Sequence, residues 1–193
     1  MSSPAAASAD AADDRRLMER VRGGDEAAFA DLMARWERPV KAVIGRIVLN
    51  AGEAEELAQE TFVRLWQQRD RFRPGAEFRP WILAIAVNLA RNRLRWWRRR
   101  PTVELGEWLE SGAEAGDGAG VGAVALERAE RVAAVQAAVA ALPADLREAL
   151  VLFEFEELSQ AEIAAVLRTT PKAVESRVSR ARERLRRALR LVD

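Results

Sequence analysis

From Ser159 to Arg182 the chain reads as two short helices joined by a tight turn, a pattern that few folds accommodate. Ser159 and Glu162 form an S-x-x-E capping box. Such a pair marks a helix start, because each side chain satisfies the other's backbone N–H. Ile163, Ala164 and Leu167 follow as an apolar stripe. Thr170 then supplies a cap and Pro171 a first helical position, where a missing N–H costs nothing. On the second helix Val174, Val178, Ala181, Leu185 and Leu189 share one face. Lys172, Glu175, Ser176, Ser179, Arg180 and Arg187 lie on the other. The pattern is that of a helix-turn-helix, whose second helix suits the major groove of DNA. Its first turns point Lys172, Glu175, Ser176 and Ser179 at base edges, and Arg180 reaches a base edge or a phosphate. The plainer reading is a solvated amphipathic helix ending a bundle, and Arg184, Arg186 and Arg190 fit it. The capping box, the turn and the charge coincide, which favours DNA.

Charge along the chain points the same way. The 193 residues carry a net charge of only +1, but it is segregated. From Arg79 to Arg100 there are seven arginines and no acid. From Lys172 to Arg190 eight basic residues stand against Glu175 and Glu183, while Thr102 to Glu127 holds six acids and no base. Two cationic patches and one anionic strip suit a polyanionic partner. There is no Cys and no His. Disulfides, thiolate zinc sites, a Cys nucleophile and the commonest general base are thereby removed. An enzyme would have to work with carboxylates alone, such as Glu53, Glu55, Glu56 and Glu60 around a metal. Those acids sit on a solvated helix, so no catalytic residue, metal or cofactor is expected. No secretory signal is evident, and the longest apolar stretch, Trp81 to Val87, is too short to span a bilayer. The expectation is a cytoplasmic protein.

The periodicity predicts an all-α fold: two small helical domains joined by a flexible acidic Gly/Ala-rich linker, the second being the helix-turn-helix domain. Residues 1–13 read as a disordered tail, 14–101 as the first domain, 102–124 as the linker and 125–193 as the second domain. Asp25 is the expected N-cap of a helix with Ala28, Phe29, Leu32, Met33 and Trp36 at helical spacing, which Pro39 should kink or restart. Asn50-Ala-Gly52 reads as a C-cap and turn. A third helix, about Glu53 to Arg69, turns Leu57, Thr61, Phe62 and Leu65 inward and Glu56, Gln59, Glu60 and Arg64 outward. A Pro-Gly loop from Asp70 to Glu77 precedes a fourth helix with Pro80 near its start.

That fourth helix is the second candidate for nucleic acid. Ile82, Ile85, Ala86 and Leu89 form its buried side, and Asn88, Arg91, Asn92, Arg95 and Arg99 form a separate stripe. Amides beside arginines can read base edges while the arginines hold phosphates. Trp96 and Trp97 divide evenly between core packing and stacking on a base, whereas Trp81 reads as core. The preceding loop, with Phe72 and Arg73, is placed to form one wall of a base pocket.

At these residues the chain resembles the bacterial RNA polymerase sigma factors, in particular the two-domain extracytoplasmic-function group. Glu53-Ala-Glu-Glu-Leu-Ala-Gln-Glu-Thr-Phe-Val-Arg-Leu-Trp66, and Arg71-Phe72 through Arg93, are similar to the family's region 2. Ala141 to Leu150 and Leu158 to Leu185 are similar to region 4. The resemblance covers about residues 25 to 190. It implies that Glu56, Gln59, Glu60 and Arg64 dock on the β′ clamp helices of core RNA polymerase. It implies that Phe72, Arg73, Asn88, Arg91, Asn92 and Arg95 open the −10 element and capture a flipped base. Lys172, Glu175, Ser176, Ser179 and Arg180 would read the −35 element, Leu146 to Phe155 would meet the β-flap, and the acidic linker would thread the active-site cleft. Promoter DNA, core polymerase and an anti-sigma factor are the partners implied. Arg168 departs from the family by standing where a turn glycine is common, and Glu175 stands where basic residues also occur. The alternative is a helix-turn-helix regulator that binds duplex DNA without polymerase, which leaves the amide-bearing helix unexplained.

Overall fold

Apolar residues three and four apart organise the molecule into helices that pack on one another. The computed structural model describes residues 4–99 and 123–189, and every regular element in them is helical. In chain order these are α1 (Pro4–Arg22), α2 (Glu26–Val48), α3 (Ala51–Gln67), a 3-10 turn at Arg69–Arg71, α4 (Phe78–Arg99), α5 (Ala123–Ala140), α6 (Ala144–Glu154), α7 (Gln160–Leu167) and α8 (Pro171–Leu189). The expected linker lies almost wholly outside the described residues.

Helix α2 is the spine of the N-terminal half. Asp25 caps it, accepting from the Ala28 N–H at 3.0 Å. That bond, with Arg20 beside it, holds the Asp25 carboxyl below the usual range. Leu32, Trp36, Val40, Val43, Ile44 and Ile47 are buried along one side. The helix runs unbroken through Pro39, so the expected restart does not occur. Trp36 and Val40 are buried on either side of it, and this packing outweighs the one backbone bond that proline cannot make. Leu49 closes α2 in the left-handed region at φ 61°, and Asn50 caps α3, accepting from the Glu53 N–H at 2.8 Å. Asn50-Ala-Gly52 therefore opens a helix instead of ending one, because asparagine suits either end.

The expected N-terminal tail is helical from Pro4. Arg35 donates to Asp13 at 2.6 Å and to Asp14 at 2.7 Å, and the Trp36 indole N–H donates to Asp14 at 3.0 Å. These acids are not solvating charge: they have partners on α2, and Leu17, Met18 and Val21 are buried behind them. Burial pushes the Asp14 carboxyl above its ordinary value, with Trp36 and Arg35 opposing.

In the C-terminal half α6 packs on α7 and α8, and α5 on α8. Buried Arg147 of α6 donates to the carbonyls of Ala140 at 2.8 Å and Leu142 at 3.4 Å, tying down the end of α5. Burial lowers the Arg147 guanidinium from its usual value, and neighbouring Glu148 acts against this. The capping box of α7 is formed, with Glu162 N–H donating to Ser159 Oγ at 3.3 Å and Ser159 N–H to Glu162 at 2.8 Å. Arg168 ends α7 at φ 52°, so it makes the left-handed turn that a glycine would make.

The two halves share a core. Helix α4 packs on α7, and α2 on α6. Val87 and Ala90 lie in one apolar cluster with Leu152, Ile163, Ala164 and Leu167, flanked by partly buried Leu94. Each such leucine, isoleucine or valine side chain, fully buried, contributes about 1.5–3 kcal/mol.

Candidate nucleic-acid interface

Helix α8 is fastened by one face and open on the other. Val174, Val178 and Ala181 are buried, and Leu185 packs beside Leu142, Leu146 and Leu150. Thr170 caps the helix, accepting from the Ala173 N–H at 3.2 Å. Lys172, Glu175, Ser179 and Arg180 are exposed, and Ser176 is half-buried. Lys172 pairs with Glu175 at 2.9 Å, and Ser176 Oγ donates to the Lys172 carbonyl at 3.0 Å. These bonds stay within the helix and leave the face open to a partner. Arg182 instead anchors the helix. It pairs with Glu154 at 2.6 Å and lies over the Phe153 ring, which holds α8 to α6.

Helix α4 carries the second basic face on an aromatic footing. Phe78, Trp81, Trp36 and Phe72 form a cluster of rings, with Phe72 edge-on to Trp81 at 5.2 Å and Trp36 edge-on to Phe78 at 5.6 Å. Phe72 is only 1% exposed. It therefore forms no wall of a base pocket; it supports the loop from beneath. A loop aromatic looks available in a sequence, but here the neighbouring rings of α4 claim it. Arg73, Asn92 and Arg95 are exposed, and Asn88 and Arg91 are half-buried. Of the two tryptophans, Trp97 packs against the core and Trp96 is 45% exposed.

The outer face of α3 presents Glu56 and Gln59 to solvent. Glu60 and Arg64 pair with each other at 2.7 Å. Lys41 holds Glu55 and keeps its carboxyl below the usual range. Arg93 bridges from α4 to Glu53 and lies 3.6 Å from Glu56. All four acids weighed as metal ligands thus have cations as partners.

Comparison with known proteins matches both halves. The Sigma-70 region 2 family model matches residues 32–100, and the Sigma-70, region 4 model matches residues 133–185. The RNA polymerase sigma-H factor of Pseudomonas aeruginosa is 38% identical over 185 residues, covering 91% of this chain and 93% of that protein. The ECF RNA polymerase sigma-E factor of Escherichia coli is 35% identical over 176 residues, covering 88% and 91%. This chain belongs to the extracytoplasmic-function sigma factors. The structure of CnrH in complex with the cytosolic domain of CnrY is similar to it, with a TM-score of 0.69 and 28% identity over 94% of this chain and 99% of that one. The sigma factor RpoE of Bartonella quintana, in complex with the anti-sigma factor NepR, has a TM-score of 0.63 and 26% identity over 84% and 96%.

In this sigma factor a seam between regions 2 and 4 holds contacts that the sequence did not reveal. Arg91 donates through Nη2 and Nε to Glu148 of α6, the shortest contact being 2.6 Å. The Glu148 side chain is 3% exposed and that of Arg91 21%. Arg79 pairs with buried Glu156 at 3.0 Å, and the Arg46 guanidinium sits 4.5 Å from the centre of the Phe155 ring. A cleft of about 310 Å³ opens beside Glu148, with Arg91, Arg95, Arg98 and Arg177 around it. One sequence signal was available. Arg147 and Glu148 interrupt an apolar run from Leu146 to Phe153, and adjacent buried charges need partners.

Proposed function

We propose that the chain is an alternative sigma factor that binds core RNA polymerase, selects promoters through −35 and −10 elements and nucleates their melting. It supplies specificity and no catalysis of its own. The observation that carries this reading is the open face of α8, with Lys172, Glu175, Ser179 and Arg180 exposed on a capped helix-turn-helix, in one chain with the amide-bearing basic face of α4. A duplex-binding regulator has no use for the second face. On α8, lysine and arginine suit guanine and phosphate, Glu175 suits a cytosine amino group, and the serines adapt to either partner. On α4, Asn88 and Asn92 offer donors and acceptors to an unstacked base, with Arg73, Arg91 and Arg95 as phosphate anchors. Phe72 is withdrawn from contact because it is buried. Glu56, Gln59, Glu60 and Arg64 form the docking surface for the β′ clamp helices, and α6 faces the β-flap. An anti-sigma factor is a further partner, on the analogy of RpoE with NepR.

Size-exclusion chromatography with purified core polymerase tests the reading. Co-elution at one copy per core, lost when Glu56 and Glu60 are both changed to arginine, is the expected outcome. Tight binding to duplex DNA together with no binding to a closely related core overturns it in favour of the simple regulator.

A further inference from the structure

We propose that the Trp96 indole stacks on a base at one end of the opened −10 segment and holds the fork where duplex gives way to separated strands. This role rests on the reading of α4 as the −10 face. It employs a side chain that the amides and arginines of that face leave unused.

The placement follows from helical spacing. Trp96 stands one turn beyond Asn92, with Asn88 one turn before Asn92 and Arg99 one turn after Trp96. These four share one stripe of α4, while Leu83, Ala86, Ala90 and Trp97 face the core. Asn92, Arg95, Trp96 and Arg99 are exposed along the stripe. Adjacent tryptophans thus have opposite tasks. Trp97 fixes the end of α4 to the fold, and Trp96 is turned outward to 45% exposure. The other aromatic rings of this half are buried or half-buried, and several are engaged in pairs: Phe29 lies 5.1 Å from Trp66, and Phe72 lies 5.2 Å from Trp81.

A lone apolar side chain on a surface is ordinary, so exposure is not what marks Trp96. Its company is. No acid occurs from Arg79 to Arg99, which suits a polyanion better than a protein surface of mixed charge. Amides read the edge of a base, whereas a flat indole takes its face. Along the helix axis Trp96 is about 12 Å from Asn88 and about 6 Å from Asn92. Successive bases of a strand are about 3.4 Å apart, so a base on Trp96 is roughly two to four steps from one held by the amides. That distance places the indole at the edge of the opened segment, away from the captured base. The last pair at a fork has lost a stacking neighbour, and the ring of Trp96 replaces it.

The test uses the full chain with core polymerase and a promoter that the holoenzyme opens. The probe is 2-aminopurine, substituted base by base through the −10 element and its flanks. Its fluorescence is expected to be quenched at one edge position in the parent and in Trp96→Phe, but not in Trp96→Ala. Promoter opening, followed with permanganate, should fall about tenfold in Trp96→Ala and recover in part in Trp96→Phe. Trp96→Lys is decisive. It adds a positive charge, so attraction to phosphate alone would preserve opening, whereas stacking predicts the same loss as in Trp96→Ala. Melting temperature and co-elution with core should stay as in the parent for all three. Normal opening in Trp96→Ala, or opening restored by lysine and not by phenylalanine, overturns the inference. So does a fall in melting temperature or loss of co-elution, which would assign the ring to packing or to the polymerase. Asn88→Ala, measured by fluorescence anisotropy with a single-stranded −10 oligonucleotide, separates this from failure of the −10 reading. If Asn88→Ala binds as the parent does, the −10 assignment itself falls. If Asn88→Ala weakens binding while Trp96→Ala opens the promoter normally, the −10 reading stands and only the role of Trp96 falls.

Discussion

Helices α4 and α8 have the same design and opposite availability. Both bury one apolar face and turn arginines outward. On α8 the bonds of Lys172, Glu175 and Ser176 stay within their own helix, and the arginine that ties α8 to the fold, Arg182, is a different residue from the candidate DNA contact Arg180. On α4 the tie and the candidate contact are the same residue, Arg91. A helix that separates anchoring from recognition is ready at all times. A helix that shares one arginine between the two must exchange partners before it can act.

Four substitutions break or sharpen this comparison. The largest effect is expected at Phe72, whose ring supports α4 from below. Phe72→Ala should cost about 3–5 kcal/mol in denaturant unfolding. Undiminished stability with lost oligonucleotide binding would return this residue to the DNA surface and make the two helices more alike. On α8, Lys172→Ala and Arg180→Ala should each weaken −35 duplex binding by about 1–3 kcal/mol where the contact is to a base, with no change in melting temperature. A comparable fall in stability would mean that α8, like α4, mixes anchoring with recognition. Ser159→Ala removes half of the capping box in front of α8 and should destabilise the fold by about 1 kcal/mol, read by thermal unfolding.

What is legible in the sequence has a local cause. The capping box, the Thr170 cap and the apolar steps of α8 are written within a few residues of where they act, and the structure contains them as read. Where sequence and structure part, the cause lies far along the chain. Asp14 sits at the edge of a segment that reads as tail, because its partners, Arg35 and Trp36, are 21 and 22 residues away. Phe72 reads as available because the rings that enclose it belong to a different element. The Arg91–Glu148 pair spans 57 residues and leaves no periodic trace. Asn50 reads as the end of one helix instead of the start of the next because its capping chemistry is symmetrical and only Leu49 settles the direction.

Two smaller effects probe the frame around each helix. Arg168→Gly, at the turn leading to α8, should raise stability by about 0.5–1 kcal/mol, since φ 52° strains any side chain; a loss would show that the arginine makes contacts worth more than the strain. At the other end, Asp14 carries a raised folded value, so the folded state holds its proton longer than the unfolded chain does. Its contribution to stability is full below the ordinary aspartate value of 3.8 and is lost as pH rises through the folded value. Asp25 and Glu55, whose values are lowered, act in the opposite sense and lose their contribution as pH falls. Asp14→Asn should therefore make stability climb more steeply with pH across the acid range in urea titrations. An unaltered slope would show that Asp14 is no more protonated in the fold than out of it.

The apolar cluster that runs between regions 2 and 4 has a thermal consequence. Opening the seam wets Val87, Ala90, Ile163 and Leu167, so it carries a positive heat-capacity change. The water-driven part of that attachment fades on cooling, while the arginine pairs along the seam do not share this dependence. The closed chain is thus held by two kinds of force with different temperature responses, and a cold cell would loosen one while leaving the other in place.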